Sequence, residues 1–278
     1  MPASNSVGAH GAAIPAIGLG TYKLDGAEGA QAVAYALQNG CRHLDTAAMY
    51  DNEECVGEGL RASGVARDEV FVTTKVWRDN LHAKALLASA QASLKRLRVE
   101  QVDLLLIHWP NSDIPLGESL AALAEAKQRG LTRHIGVSNF PATLLRQAVE
   151  QCDEPIVANQ CEYHPRLDQT KLLDACRALG VAFVSYAPLA HAELMGDPVV
   201  TRIAATHGKK PGQVILRWHV QQPGVAAIPK SGREQNIKDN LDVFGFALSE
   251  QEMRDIHALR RDNGRMIDPG WAPAWDRA

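Results

Sequence analysis

Long apolar runs, paired cysteines and basic tracts are all missing from this chain of 278 residues. No stretch reaches the roughly 18 apolar residues that a membrane-spanning helix needs, and a formal net charge of −3 does not favour a nucleic-acid partner. The five cysteines include no CxxC pair and are odd in number, which indicates buried thiols in a reducing compartment. Residues 1–20 lack a basic start followed by an apolar core, so we expect no signal peptide and a cytoplasmic location.

Several cofactor and catalytic motifs are missing as well. Gly18 and Gly20 are followed by Thr21, Tyr22 and Lys23, so the GxGxxG fingerprint of Rossmann folds is not completed. The sequence also contains no P-loop, no HExxH, no metal-spaced Cys/His cluster and no GxSxG. We therefore expect no metal site, and any dinucleotide must bind without a Rossmann fingerprint.

Short apolar runs alternate with helix-like segments along most of the chain. This alternation predicts parallel strands joined by right-handed helical crossovers, which is an α/β fold of the (β/α)8 TIM-barrel type, in one domain over residues 1–278. The run LLLI at 104–107 is apolar without alternation, as is typical of a strand covered on both faces. The predicted strands are 42–45, 70–74, 102–107, 133–137, 156–160, 181–185 and 225–228, and the predicted helices are 27–39, 52–62, 82–97, 117–129, 141–150, 168–179 and 211–221.

These assignments give seven strands, and we place the eighth either in 17–22 or in 190–210. Residues 7–22 are rich in glycine and interrupted by proline, so they predict an N-terminal hairpin.

Four polar residues follow successive predicted strands: Asp45 and Tyr50 in HLDTAAMYDNE, Lys75 in EVFVTTKVW and His108 in VDLLLIHWP. Because the carboxyl ends of parallel barrel strands converge on one mouth, we expect these side chains to meet. A phenol beside an ammonium suits general acid catalysis, and the positive charge is expected to lower the pKa of Tyr50 from about 10. A buried Asp45 needs a partner, which Lys75 can supply.

The motifs that contain these four residues also have purely structural interpretations. Asn52 can cap the following helix, with Glu53 and Glu54 at its positive end. A lone His108 would ordinarily be a packed ring before a turn. The four residues together favour chemistry, with His108 binding a substrate carbonyl beside Tyr50.

Amide, hydroxyl and phenol side chains follow the next three predicted strands. Ser138 and Asn139 either cap a helix ahead of Pro141 or, with Gln160, recognise a carboxamide such as that of nicotinamide. The alternative for Gln160 is a polar turn. Tyr186 either stacks on a flat heterocycle or belongs to the core.

The loop AAIPKSGREQNIKDN at 226–240 supports two interpretations that can hold together. Ser231 and Glu234 match a capping box at a helix start. A helix N-terminus also binds anions, and Lys230, Ser231 and Arg233 add two charges and a hydroxyl suited to a phosphate group.

The motifs DTAAMYDNEE, TKVW, LIHWP, GVSNF, NQCEYHP, SYAPL and IPKS occur in this order, and over residues 10–277 the chain resembles the aldo-keto reductase family. The resemblance implies an NADPH-dependent reductase of small carbonyl compounds, acting as a monomer on a (β/α)8 barrel. It makes Tyr50 the general acid, with Lys75 and Asp45 lowering its pKa and His108 orienting the carbonyl.

The same resemblance implies a set of cofactor contacts. Family members often carry an arginine where this chain has Asn236, and that change reduces the expected preference for NADPH. Ser138, Asn139 and Gln160 would hold the carboxamide, and Tyr186 would stack on the nicotinamide. The remaining implied positions are Gly20, Thr21, Asp45, Pro188, Leu189, Lys230, Ser231, Gly232 and Arg233, of which Lys230, Ser231 and Arg233 meet the 2′-phosphate, together with Asp239 and Asn240, which meet the adenine.

For the substrate, the resemblance implies an aromatic wall around His108. Tyr22, Trp77 and Trp109 form that wall, and a C-terminal loop carrying Trp271 closes the pocket.

The closing segment GRMIDPGWAPAWD at 264–276 resembles a bacterial subgroup that reduces methylglyoxal and 2,5-diketo-D-gluconate. We therefore expect 2-oxoaldehydes and aromatic aldehydes as substrates, with keto-sugar acids as a further class. A substrate carboxylate would need a cation, for which Arg265 and Arg277 are candidates.

Two other functions stay open at this point. One is a non-catalytic, NADPH-binding regulatory or structural barrel. The other is an isomerase or aldolase in which Lys75 forms a Schiff base with a carbonyl substrate.

Overall fold

Eight parallel strands in consecutive order form the central sheet of the protein, for which a computed structural model describes residues 5–276. The predicted strands are confirmed to within two residues at each end. The strands are β3 (Leu19–Gly20), β4 (His43–Asp45), β5 (Phe71–Val76), β6 (Val102–Ile107), β7 (Thr132–Ser138), β8 (Ile156–Glu162), β9 (Ala182–Tyr186) and β10 (Val225–Ala227).

The first and last strands of this sheet meet along a seam that closes the barrel. The Gly18 N–H donates to the Ala227 carbonyl at 2.9 Å, and the Gly20 N–H donates to the Pro229 carbonyl at 3.1 Å. A Cβ at Gly20 would lie 2.7 Å from the Ile228 carbonyl oxygen, so the seam requires glycine there. Together with the consecutive strand order, these contacts confirm the predicted (β/α)8 barrel.

The eighth strand is β3, inside the predicted interval 17–22. The alternative interval 190–210 contains a short 3-10 turn and a helix instead. The seven predicted helices are confirmed, and three further helices occupy 198–207, 234–241 and 250–257. The helices are α1 (Gly26–Gln38), α2 (Glu53–Ala62), α3 (Ala83–Leu97), α4 (Leu116–Gln128), α5 (Ala142–Gln151), α6 (Thr170–Leu179), α7 (Pro198–His207), α8 (Pro211–Val220), α9 (Glu234–Leu241) and α10 (Glu250–His257).

The predicted N-terminal hairpin is present and covers the amino-terminal end of the barrel. Strands β1 (Ser6–Ala9) and β2 (Ala12–Pro15) pair antiparallel through a two-residue turn in which both residues have positive φ. Their buried side chains pack in one cluster with interior residues of the central strands. The Pro15 carbonyl oxygen lies 3.3 Å from Nδ1 of His43, the first residue of β4.

No helix within residues 5–276 is long and apolar enough to cross a bilayer. In the same part of the chain, no group of three or more His, Cys, Asp or Glu side chains is placed to hold a metal ion. Four of the five cysteines are buried, and burial raises the pKa of Cys161 to about 12.

Candidate active site

The four polar residues predicted to meet at the strand ends lie side by side. Asp45 ends β4, Lys75 lies near the end of β5, and the His108 N–H donates to the Val76 carbonyl at 2.9 Å just beyond β6. Tyr50 closes a 3-10 turn. The next residue has a left-handed backbone with φ of 55°, so the chain turns sharply after the phenol. Strand order alone therefore brings three of these side chains to one mouth, and the turn adds the fourth.

The Lys75 ammonium is fully buried and uses all of its hydrogen-bonding capacity. It donates to Asp45 Oδ1 at 2.5 Å, to the Thr46 carbonyl at 2.8 Å and to the Tyr50 hydroxyl oxygen at 3.3 Å. An ammonium has three donors, so all are used. Because Tyr50 accepts from Lys75, its own O–H remains to donate to a ligand.

Burial dominates the pKa values of this cluster. It raises the pKa of Tyr50, and the Lys75 charge opposes that rise only in part. The prediction of a lowered Tyr50 pKa is therefore wrong for the site as it stands, although the predicted influence of Lys75 has the expected sign. Burial alone would lower the pKa of Lys75, but the Asp45 carboxylate and the Tyr50 hydroxyl together outweigh it, and the pKa is raised. At neutral pH the phenol keeps its proton and the amine stays charged.

His108 is buried and uncharged. Burial, aided by the nearby Lys75 charge, lowers its pKa well below the ordinary value. Its Nδ1 atom is buried without a hydrogen-bond partner among the described residues. The ring lies edge-on to Tyr50, with centroids 5.6 Å apart, and edge-on to Trp77 at 5.3 Å. A neutral imidazole can donate one N–H to a carbonyl oxygen.

A layer of amide and hydroxyl groups adjoins the four residues. Gln160 donates through Nε2 to Asp45 Oδ2 at 2.6 Å, so its Oε1 is the atom left to accept from a ligand. Asn139 donates to the His108 carbonyl at 3.0 Å and accepts from the Tyr186 hydroxyl at 2.8 Å. Ser138 is fully buried and donates to the Gln160 carbonyl at 2.7 Å, so it supports the layer from behind.

Two helix-cap interpretations are wrong at this end of the barrel. Helix α5 begins at Ala142 with Pro141 in the N-cap position, so neither Ser138 nor Asn139 caps it. The backbone of Asn139 has φ of 64°, a conformation that asparagine tolerates, and this carries the chain away from the helix.

Asn52 occupies the N-cap position of α2, as predicted, but its side chain does not cap the helix. Its Nδ2 instead donates to the Thr21 carbonyl at 2.6 Å and the Leu24 carbonyl at 3.0 Å, and its Oδ1 accepts from Thr46. These bonds tie the loop after β3 to the loop after β4. The buried polar group is satisfied by loop carbonyls that the local sequence does not reveal.

A cavity of about 1010 Å³ opens in front of these groups and runs to the start of α9. Its lining includes most of the residues expected to contact cofactor or substrate. These are Gly20, Thr21, Tyr22, Asp45, Tyr50, His108, Trp109, Asn139, Gln160, Tyr186, Pro188, Leu189, Lys230, Ser231, Asn236, Asp239 and Asn240.

Sequence reasoning missed one side of this cavity, formed by the segment after β9 and the start of α8. Ala187, His191 and Ala192 line it, all with positive φ, a strained conformation that often marks functional segments. Lys210 also lines it and pairs with Asp239 at 2.5 Å. In the sequence, the Lys-Pro pair at the start of α8 could have indicated this side of the cavity, whereas nothing in the sequence indicates the strained alanines. The other missed lining residues are Lys23, Met49, Met195, Pro211, Gly212, Gln213, Ile228, Pro229 and Ile267.

A second cavity of about 410 Å³ adjoins the first at the predicted phosphate site. Lys230, Ser231, Gly232, Arg233 and Asn236 line it, as expected, together with Lys23, Leu24, Asp25, Glu28 and Gly29. Two carboxylates thus stand among its three cations and reduce the positive charge available to a phosphate.

The predicted capping box in this loop is wrong. Helix α9 begins at Glu234 with Arg233 in the N-cap position, and the Arg233 N–H donates to Ser231 Oγ at 3.1 Å. The hydroxyl accepts the N–H two residues along instead of three, which is the short turn that serine favours.

The aromatic residues expected around the substrate form one cluster that includes the C-terminal segment. Trp271 lies edge-on to Trp77 at 5.7 Å and to Trp109 at 5.1 Å. Trp109 and Tyr22 line the large cavity, and Trp77 adjoins it through His108.

Arg265, a candidate cation for a substrate carboxylate, does not line the large cavity. Its guanidinium stacks 3.6 Å from the Trp275 ring centroid and stands 3.9 Å from the Glu162 carboxylate. The other candidate cation, Arg277, lies outside the described residues.

Comparisons with known proteins agree with this geometry. Residues 16–261 match the sequence profile of the Aldo/keto reductase family. The chain is 42% identical to methylglyoxal reductase DkgB of Salmonella typhimurium over 267 residues, which cover 95% of this chain and 99% of that protein. A crystal structure whose protein carries the provisional name 2,5-diketo-D-gluconic acid reductase B is 46% identical, with a TM-score of 0.96 over 99% of this chain and 98% of the other.

A structural neighbour also bears on the cofactor. The aldo-keto reductase of Bombyx mori, solved in complex with NADP, is 35% identical with a TM-score of 0.88, over 97% of this chain and 96% of that one. The neighbour, the amide layer and the cationic end of the cavity together support a nicotinamide cofactor. By sequence profile, relatives and fold, the chain belongs to the aldo/keto reductase family.

Proposed function

We propose that this oxidoreductase reduces small, activated carbonyl compounds with NADPH and that Tyr50 supplies the proton. The environment of the Tyr50 hydroxyl is the main support for the proposal. This hydroxyl accepts a hydrogen bond at 3.3 Å from Lys75, whose three N–H groups are all used, and Tyr50 lines a cavity of about 1010 Å³. Because the phenol stays protonated at neutral pH, it can donate to an alkoxide as negative charge develops there.

The other groups position the reactants. When bound, the nicotinamide supplies the hydride. Neutral His108 can donate a hydrogen bond to the carbonyl oxygen and hold it beside Tyr50. Asp45 fixes the Lys75 ammonium, whose positive charge stabilises the phenolate left after proton transfer.

The residues present fit a nicotinamide dinucleotide along the cavity. Gln160 Oε1 and the ring of Tyr186 suit the carboxamide and the nicotinamide plane, and Lys230 and Arg233 suit the phosphate at the other end. The charges there favour NADPH over NADH. With Asp25 and Glu28 in the same small cavity, and Asn236 where a further charge could stand, we expect a moderate preference.

The substrate end of the cavity favours small, reactive aldehydes. Its lining near Tyr50 and His108 is largely apolar, with Tyr22, Met49 and Trp109 on one side. Tyr50 and His108 are the groups there that can bind a carbonyl oxygen. We therefore favour 2-oxoaldehydes such as methylglyoxal, together with aromatic aldehydes, and the name of the Salmonella relative supports the first of these.

The test is turnover by the purified protein, measured as NADPH consumption with methylglyoxal and with benzaldehyde. A non-catalytic, NADPH-binding barrel would bind the dinucleotide without consuming it. An enzyme that forms a Schiff base would be trapped on Lys75 by borohydride, but the raised pKa and three hydrogen bonds of that amine argue against it. Binding of NADPH without turnover on any carbonyl of a broad panel would refute the proposal.

A further inference from the structure

One buried carboxylate at the mouth of the barrel has no part in proton delivery. Glu162 is the last residue of β8, and its side chain is completely buried. Taking a carboxylate out of water is costly unless hydrogen bonds replace its hydration. Its partners therefore show what the residue is for.

Those partners belong chiefly to the C-terminal segment. Oε1 accepts the Met266 N–H at 2.7 Å and lies 3.0 Å from His164 Nε2, and Oε2 accepts the Ile267 N–H at 2.9 Å. Two consecutive backbone N–H groups thus converge on one anion, an arrangement that binds carboxylates and phosphates well. Arg265, from the same segment, adds a positive charge 3.9 Å away.

The C-terminal segment depends on such contacts, because residues 258–276 contain neither helix nor strand. Its backbone cannot hold itself in place through regular hydrogen bonds. A second tie lies further along, where the Ala142 N–H donates to Asp276 Oδ2 at 2.8 Å. At the first tie, Ile267 also lines the large cavity, and between the two ties Trp271 packs on the aromatic cluster.

We propose that Glu162 is a positioning residue that fixes the segment 264–276 as the outer wall of the substrate pocket and so sets selectivity by substrate size. The proposal rests on the proposed carbonyl reduction. A bulky aromatic aldehyde reaches the wall at Ile267 and at Trp109, on which Trp271 packs, whereas methylglyoxal is small enough to be held by Tyr50 and His108 alone. Loosening the wall is therefore expected to raise KM for the aromatic aldehyde and to leave KM for methylglyoxal nearly unchanged.

The experiment compares Glu162→Gln with a matched control, Asp103→Asn. The glutamine keeps the shape, but its NH2 group cannot accept a backbone N–H. Asp103 is also a buried carboxylate that accepts a backbone N–H, from Val72 at 2.9 Å, but it lies at the start of β6 at the opposite end of the barrel. Hydrogen exchange in 264–276, without any ligand, measures the anchoring.

In Glu162→Gln we expect exchange in 264–276 to accelerate by about tenfold or more, as for a lost hydrogen bond to a charged group. We expect KM for 2-naphthaldehyde to rise at least several-fold relative to KM for methylglyoxal, with kcat for methylglyoxal unchanged. Asp103→Asn should leave both the exchange in this segment and the KM ratio as in wild type.

A second variant approaches the anchor from the other side, in case Glu162→Gln folds poorly. Met266→Pro deletes one of the two N–H donors and leaves the carboxylate intact, and the same changes are expected. Unchanged exchange in both variants, or faster exchange with an unchanged KM ratio, overturns the proposal. Absence of turnover in the wild type would instead refute the proposed function, and the exchange measurement would still report on the anchor.

Discussion

Tyr50→Phe separates proton donation from every other property of the cavity. The ring and its packing on Tyr22, with centroids 5.1 Å apart, are retained, and only the hydroxyl is lost. General acid catalysis contributes about 10²–10⁴-fold, or roughly 2.7–5.5 kcal/mol of barrier, so kcat should fall by at least that range. Among the described residues, no other proton donor is held against Lys75 to replace the phenol.

The structural cost of this change is confined to one hydrogen bond. Lys75 loses its longest hydrogen bond, at 3.3 Å, and keeps those to Asp45 and Thr46. Because one N–H of a buried ammonium is left without a partner, we expect the free energy of unfolding to fall by about 1–3 kcal/mol. The dissociation constant for NADPH should stay close to that of the wild type, because the hydroxyl lies at the substrate end.

The assay is NADPH consumption with methylglyoxal under saturating cofactor, together with fluorescence titration of NADPH binding. Tyr22→Phe is the matched control: it removes a phenol hydroxyl from the same cavity, but one that is not bonded to Lys75. That control should retain most of its kcat. If Tyr50→Phe also retained most of its kcat, Tyr50 would not be the proton donor and the reasoning from its contact with Lys75 would fail.

Three further outcomes follow from charge and burial. Replacing Lys230 and Arg233 together by alanine should raise the NADPH dissociation constant about tenfold or more per residue and leave NADH binding little changed, as titrations with both cofactors would show. An equal loss of affinity for NADPH and NADH would limit the two residues to a structural role. Asn236→Arg should strengthen the preference for NADPH in the same titrations, and no gain would remove Asn236 from the phosphate site. Burial lowers the pKa of His219 to about 3, whereas in the unfolded chain it is about 6.5. The unfolded state therefore binds more protons as the pH is lowered, and this histidine should reduce the free energy of unfolding by about 2 kcal/mol between pH 7 and pH 5. Urea unfolding of His219→Gln should show a smaller decrease over this pH range, and an equal decrease would contradict the assignment.

The catalytic cluster could be predicted from sequence because its members follow clear strands. Lys75 and His108 come at the ends of apolar runs, and parallel topology brings such ends together whatever the details of packing. The net pKa of Tyr50 could not be predicted in this way. It depends on how far burial outweighs the lysine charge, and burial is a property of the folded chain.

Features that depend on distant backbone groups left no readable pattern. Ser231 and Glu234 have the spacing of a capping box, yet a turn of the loop delivers another N–H to the serine. The positive φ angles of His191 and Ala192 could not be predicted, because neither residue is a glycine. Glu162 lies two residues beyond the predicted strand 156–160 and shows no functional pattern in the sequence, because the amides that bind it come from the far end of the chain.

The barrel seam has a consequence for how the chain folds. The N–H groups of Gly18 and Gly20 donate to the carbonyls of Ala227 and Pro229, so the barrel can close only after most of the chain has been synthesised, at the entropic cost of closing a very long loop. Lys230, beside this seam, lines both cavities. The dinucleotide proposed for these cavities would contact residues on both sides of the seam, so by mass action it would stabilise the closed barrel and lengthen the lifetime of the folded protein.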